Sequence, residues 1–232
     1  MSYTARFLMV LLSATFAAAV AAMAADSTSP EAPFQADEST VLLWRLDRGP
    51  QARSAVPDGP EGKVSGAAWE TNGKFKACLS FREGGGLVEA TLAKSQLERR
   101  RIDLWVNPRA ATKPVVLLHE YESPGCNTVL LLEPQGNLKY QRVYCGKPVD
   151  SVTSTAKVES GKWSHLALEV CSDVKKVRFF INGKSSGEGT MLLSGTVTRF
   201  GLGSGLPGEV IPFAPYRGLI DEVRIERIPE KK

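Results

Sequence analysis

The chain has 232 residues and a formal net charge of +4, with 29 Lys and Arg against 25 Asp and Glu. That imbalance is too small to argue for a nucleic-acid partner. Beyond the N-terminus no apolar run approaches the length of a membrane span, so no span is expected once a leader is removed.

In chain order, Arg6 supplies a short positive region, Phe7 to Val20 is almost unbroken apolar sequence, and Ala22-Met23-Ala24 has the small-x-small pattern of a signal peptidase site. Residues 1–24 are therefore read as a signal peptide, with an uncleaved anchor as the alternative. The protein is expected to be secreted, periplasmic or at the cell surface. Removing Arg6 lowers the net charge to +3. Residues 25–38, rich in Ala, Ser, Pro and acids without hydrophobic periodicity, read as a flexible leader. Residues 39–230 form the folded domain.

Within that domain helical periodicity is nearly absent, and only Glu89 to Arg99 offers room for a short helix. Runs of Val, Leu, Ile, Phe and Tyr recur between Gly, Pro, Asn and Asp clusters, which is a strand-and-turn pattern. Strands are expected near 40–46, 64–69, 76–82, 85–89, 101–106, 115–121, 127–133, 138–144, 152–158, 163–171, 175–182, 196–203 and 216–226. The fold class is therefore all-β, a two-sheet antiparallel jelly-roll sandwich. Asn182-Gly183 after Val177–Ile181 marks a tight hairpin. A second hairpin turns at Glu133–Asn137. Centring it between Gln135 and Gly136 sets Leu132 against Lys139, Val129 against Arg142 and Cys126 against Cys145. The basic run Glu98-Arg99-Arg100-Arg101 reads as a solvated loop, with an acidic glycan or a membrane surface as the alternative partner.

The four cysteines, at 78, 126, 145 and 171, allow three disulfide pairings in an exported protein. The hairpin register favours Cys126–Cys145. Cys78 and Cys171 then pair by default or stay as buried thiols. No spacing suits zinc.

Six segments, in order, resemble laminin G-like (pentraxin-type) jelly rolls of the concanavalin A-like lectin/glucanase superfamily. They are Leu43-Trp44-Arg45-Leu46-Asp47, Gly73–Phe81, Ile102-Asp103-Leu104-Trp105-Val106-Asn107-Pro108, Gly161–Leu168, Phe180–Lys184 and Tyr216–Ile225. The resemblance implies a concanavalin A-like sandwich. It also implies that Trp44, Trp105 and Trp163 pack in the core and that His165 is structural. Relatives hold calcium with oxygen ligands near the sandwich rim. Asp47 and Asp221 fall in the first and last family strands, so they are the candidate calcium ligands. Their other reading is as acceptors for backbone N–H groups at strand ends.

Jelly-roll glucanases raise glycoside hydrolysis, but their Glu-x-Asp-x-x-Glu strand is absent. Glu120 and Glu122 have same-face parity, and a retaining mechanism needs carboxyls about 5–5.5 Å apart. Beside Ser123-Pro124-Gly125 they read as a solvated loop edge. There is no Gly-x-Ser-x-Gly elbow, and the only histidines are His119 and His165. An enzyme is not expected. Period-2 alternation places Tyr140, Arg142 and Tyr144 on one face of the hairpin. With Tyr121 and His119 they form either a ligand surface or a cross-strand packing patch. The expected function is a secreted, non-catalytic module recognising carbohydrate or another extracellular polymer. The alternative is a structural or protein–protein interaction domain of the cell envelope.

Overall fold

A computed structural model describes residues 29–47, 49, 51–92 and 97–229. The expected signal peptide and the first residues of the leader lie outside them. Among the described residues sixteen strands form two eight-stranded sheets. The first sheet contains β1 (Thr40–Trp44), β3 (Ala67–Glu70), β4 (Cys78–Phe81), β6 (Arg99–Pro108), β11 (Ser164–Cys171), β12 (Lys176–Ile181), β13 (Lys184–Thr190) and β16 (Gly218–Arg227). The second contains β2 (Lys63–Ser65), β5 (Leu87–Thr91), β7 (Val115–Ser123), β8 (Cys126–Leu132), β9 (Asn137–Tyr144), β10 (Lys147–Lys157), β14 (Arg199–Leu202) and β15 (Ala214–Pro215). Every strand pair is antiparallel except β15 with β7.

The main core lies between the sheets. Ile102, Leu104, Leu166, Leu168, Val223 and Ile225 from the first meet Leu117, Leu130, Leu132, Leu138, Tyr140 and Phe200 from the second. Each central strand contributes alternate residues, as a half-buried pleat requires. The outer faces carry smaller apolar clusters. Phe34, Leu43 and Trp105 cover part of the first sheet, while Val116, Val129, Leu131 and Val143 on the second are covered by Ile211 and Phe213.

The strand expectations hold with local differences. The stretch expected as one strand over 64–69 divides at Gly66, with φ +69°, where the chain passes from the second sheet to the first. Strand β13, Lys-Ser-Ser-Gly-Glu-Gly-Thr, has no apolar alternation. It forms because Asn182 and Gly183, with φ of 52° and 78°, make the expected two-residue turn and lay Lys184 against Ile181. The ends of the expected helix are instead strand: β5 runs to Thr91 and β6 begins at Arg99. The rest of that expectation includes residues 93–96, outside the described residues. The leader also differs from expectation at its end. Phe34 is 3% exposed and donates its N–H to Glu222 Oε2 at 2.9 Å, so the chain is packed on the first sheet before β1 begins.

The β8–β9 hairpin is the main correction. Glu133 N–H bonds Asn137 C=O, Gly136 N–H bonds Glu133 C=O, and Gly136 has φ +93°. This is a three-residue loop closed by a left-handed glycine, one residue longer than a tight two-residue turn. Leu132 therefore faces Leu138, Leu131 faces Lys139, Thr128 faces Arg142, and Cys126 faces Tyr144 rather than Cys145. A one-residue slip exchanges the faces of a strand. All four cysteines are free thiols in the structure. Cys78 on β4 and Cys171 on β11 are separated by β16 and β6. Three strand spacings put them about 14 Å apart, twice the reach of a disulfide.

Candidate functional site

The corrected register divides the expected ligand surface. Tyr140 points into the main core and is fully buried. Its hydroxyl donates to Glu120 and accepts from Arg100 Nη2 at 3.0 Å. Arg100 is itself buried, with Nε at 2.7 Å and Nη2 at 2.8 Å from the two Glu120 oxygens, and Nη1 donates to Leu97 C=O at 2.8 Å. The fork-shaped guanidinium matches the carboxylate, so an arginine expected in a solvated loop bridges the two sheets instead. Glu120, expected at a loop edge, is buried with it. Arg142 lies on the same face, bound to Glu122 at 3.1 Å and to Leu192 C=O at 3.1 Å. Burial raises the Glu122 pKa against the charge of Arg142. Tyr144 is 55% exposed at the strand end.

His119 and Tyr121 lie on the opposite, outer face of the second sheet. His119 Nδ1 accepts the Leu206 N–H at 2.8 Å, so the ring proton sits on Nε2 and is donated to Asn127 Oδ1 at 2.7 Å. Burial lowers the His119 pKa, which keeps the ring neutral. Arg199 stacks 5.2 Å above the Tyr121 ring. His119 is thus a satisfied interior residue, and the five expected residues share no surface.

The outer face of the first sheet carries a second polar network. Asp103 accepts from His165 Nε2 at 3.0 Å, from Arg101 at 3.0 Å and from Arg224 at 3.2 Å. Burial opposes ionisation of Asp103, but these hydrogen bonds and charges outweigh it and hold its pKa at about 2. His165 is accordingly structural. Trp105 and Trp163 pack on this outer face rather than between the sheets, and Trp44 fills the main core.

Strand β16 changes partners partway along that sheet. Gly218–Ile220 pair with β4 and Val223–Glu226 with β1, with a bulge at Glu222, φ +46°. At this fork Asp47, just beyond β1, comes close enough to raise the pKa of both Asp221 and Glu222. Burial is the larger cause. It takes Asp221 to about 6 and Glu222 to about 8. Asp221 Oδ2 accepts the Phe75 N–H at 3.1 Å and Oδ1 the Glu222 N–H at 2.8 Å. Both its oxygens are therefore engaged by backbone. Asp47 Oδ1 and Glu222 Oε1 are buried without a hydrogen-bond partner. Among the described residues no three carboxylates, histidines or cysteines stand at ligating distances. The open carboxylate oxygens near this fork thus belong to Asp47 and to Glu222, which the sequence reading did not single out, and not to Asp221.

A cleft of about 380 Å³ opens at one end of the sandwich. It is bounded by the segment after β6 (Pro108–Ala111), the β8–β9 turn, and the chain leaving β10 (Lys157–Ser160). Leu132, Val158, Pro108 and Pro134 give it apolar walls, and Arg109, Glu133, Gln135, Lys157, Glu159 and Ser160 give it polar groups. Backbone bonds brace all three segments: Val158 N–H to Gly136 C=O, Gly161 N–H to Pro108 C=O and Arg109 N–H to Arg217 C=O, at 2.8, 2.8 and 3.0 Å. The sequence reading missed these residues, because they come from three distant loops with no shared motif.

Several solved structures have the same fold. Domain 4 of AbnA, a GH43 extracellular arabinanase from Geobacillus stearothermophilus solved in complex with arabinotriose, is 20% identical with a TM-score of 0.64. The match covers 82% of this chain and 92% of that one. The binding domain of botulinum neurotoxin serotype D is 11% identical with a TM-score of 0.61, over 83% of this chain and 49% of that one. The CBM40 of Ruminococcus gnavus IT-sialidase, bound to α2,3-sialyllactose, is 15% identical with a TM-score of 0.50, over 66% and 91%. These likenesses concern the fold alone. No curated protein matches the sequence. The family model described as the concanavalin A-like lectin/glucanases superfamily (Laminin_G_3) matches residues 102–229, more than half of the chain. With the two-sheet jelly roll around that segment, the chain belongs to this family.

Proposed function

We propose that this protein is an exported, non-catalytic carbohydrate-recognition module whose saccharide site is the cleft at the end of the sandwich. The observation that carries the reading is the cleft itself, in which charged and amide side chains stand above apolar walls at the volume of a small-ligand site. The arabinotriose and sialyllactose of two structural neighbours support a sugar as the ligand. The N-terminal apolar run followed by Ala22-Met23-Ala24 supports export. The absence of catalysis is supported by the state of the carboxylates. Glu120 is clamped by Arg100 inside the sandwich, and the cleft acids Glu133 and Glu159 are each paired with a lysine. Calcium, held by Asp47 and Glu222 beside Asp221, is proposed as a structural ion.

A glycan array probed with the chain lacking residues 1–24 tests the reading. Binding is expected, and Ala110→Trp, which fills the cleft, is expected to remove it without changing the melting temperature. Array binding unaffected by Ala110→Trp would place the site elsewhere. Release of reducing sugar from any bound polymer would overturn the non-catalytic reading.

A further inference from the structure

The acids and bases lining the cleft are not equivalent. Glu133 lies 3.7 Å from Lys139 Nζ, and Glu159 lies 2.6 Å from Lys162 Nζ. Both lysines stand outside the lining, so each cleft acid already has a counter-charge of its own. Arg109 and Lys157 are exposed and make no ion pair among the described residues. The acid whose titration Arg109 influences, Glu70, is already held by Arg82 at 3.0 Å. Several arginines elsewhere on the surface are matched: Arg101 and Arg178 with Glu169, Arg224 with Asp103 and Glu226, Arg199 with Glu89, and Arg217 with Glu83. Arg53, Arg227, Lys63 and Lys147 also make no ion pair among the described residues, but Arg109 and Lys157 are the unpaired cations that line the concave site.

We propose that the cleft recognises an anionic saccharide, with Arg109 and Lys157 binding its acidic group. The proposal rests on the cleft being the saccharide site. A planar guanidinium donates two parallel hydrogen bonds to a carboxylate or sulfate, and an ammonium adds a second, adjustable contact. Apolar walls at Pro108, Pro134 and Val158 lower the local dielectric and strengthen both contacts. The backbone of each cation is pinned. Arg109 N–H is bonded to Arg217 C=O, and the residue after Lys157 is bonded to Gly136 C=O. The segments that carry the two cations are therefore fixed, while Gln135 can meet a sugar hydroxyl and Ser160, whose hydroxyl donates to Pro108 C=O at 3.1 Å, can accept from one.

Titration calorimetry on the chain lacking residues 1–24 tests this with four probes: trigalacturonate for a uronic acid, α2,3-sialyllactose for a sialic acid, a chondroitin sulfate hexasaccharide for a sulfate ester, and arabinotriose as the neutral control. At least one anionic probe should bind more than tenfold tighter than arabinotriose, and which one binds identifies the source of the charge. Arg109→Gln and Lys157→Gln should each weaken that probe about tenfold, and raising salt should weaken it further. For a carboxylate probe, its methyl ester should bind as weakly as the control. Both substitutions are at exposed positions, and unchanged melting curves would verify the fold. If arabinotriose binds as tightly as the anionic probes and the substitutions leave affinity unchanged, the inference fails while the recognition reading stands. If none of the four probes binds and the glycan array is also blank, both fail together.

Discussion

Tyr140 and Tyr144 lie four residues apart on one face of β9, yet their surroundings are opposite. Tyr140 is fully enclosed and joined to the Arg100–Glu120 pair, whereas Tyr144 is 55% exposed. Burial and the neighbouring Glu120 charge drive the Tyr140 pKa well above its ordinary value, so the phenol stays protonated and donates. Tyr140→Ala should therefore cost roughly 3–5 kcal/mol, since it opens an aromatic-sized cavity and strips a partner from a buried carboxylate. Tyr144→Ala should stay within about 0.5 kcal/mol. Urea unfolding of the two single variants checks the contrast. Equal effects would mean that the hairpin keeps the other register. Alternation in the sequence correctly placed the two tyrosines on one face. It gave no information on where along that face the sandwich interior ends.

The β8–β9 hairpin shows how one backbone angle governs an element. Gly136 adopts φ +93°, and a Cβ there would lie 2.5 Å from Val158 C=O. Gly136→Ala should destabilise the protein by more than about 1 kcal/mol, because the angle is strained for alanine and the clash is with backbone. Its local signature should be faster hydrogen exchange at Val158, whose N–H is held by Gly136 C=O. Exchange no faster than in the parent protein would show that the loop accommodates the methyl group. The same loop length fixes which residues face the core. An Asn-Gly pair declares its turn type, and Asn182-Gly183 was legible for that reason. Glu133–Asn137 contains one proline and one glycine and admits two turn lengths, so parity was not readable there.

Across the whole molecule, β16 crosses between two partners, and the bulge that permits this gathers Asp47, Asp221 and Glu222. A cation bound only by the folded state stabilises by mass action, by about 2.7 kcal/mol at a hundred times its Kd. For a domain of this size that corresponds to a rise of roughly 5–10 °C in melting temperature. Calcium in excess should produce such a rise, EDTA should reverse it, and Glu222→Gln should abolish it. A melting curve indifferent to calcium and to chelator would mean that the open oxygens of Asp47 and Glu222 are met by water instead.

By itself the sequence determined the fold class, most of the strands, the Asn182-Gly183 hairpin and the family, since alternation, turn residues and strand motifs are local properties read within about ten residues. The resemblance further implied that the first and last family strands come together, as β1 and β16 do, with Asp47 just beyond the one and Asp221 in the other. Only the tertiary structure decided which side of each strand is inside, because one extra loop residue inverts every side chain after it. It alone revealed that Arg100 and Glu120 neutralise each other within the core, that Glu222 rather than Asp221 holds the open oxygen, and that Arg109 and Lys157 meet at one cleft. These juxtapositions join residues distant in the chain, and they depend on sheet order and bulges, which no short window of sequence specifies.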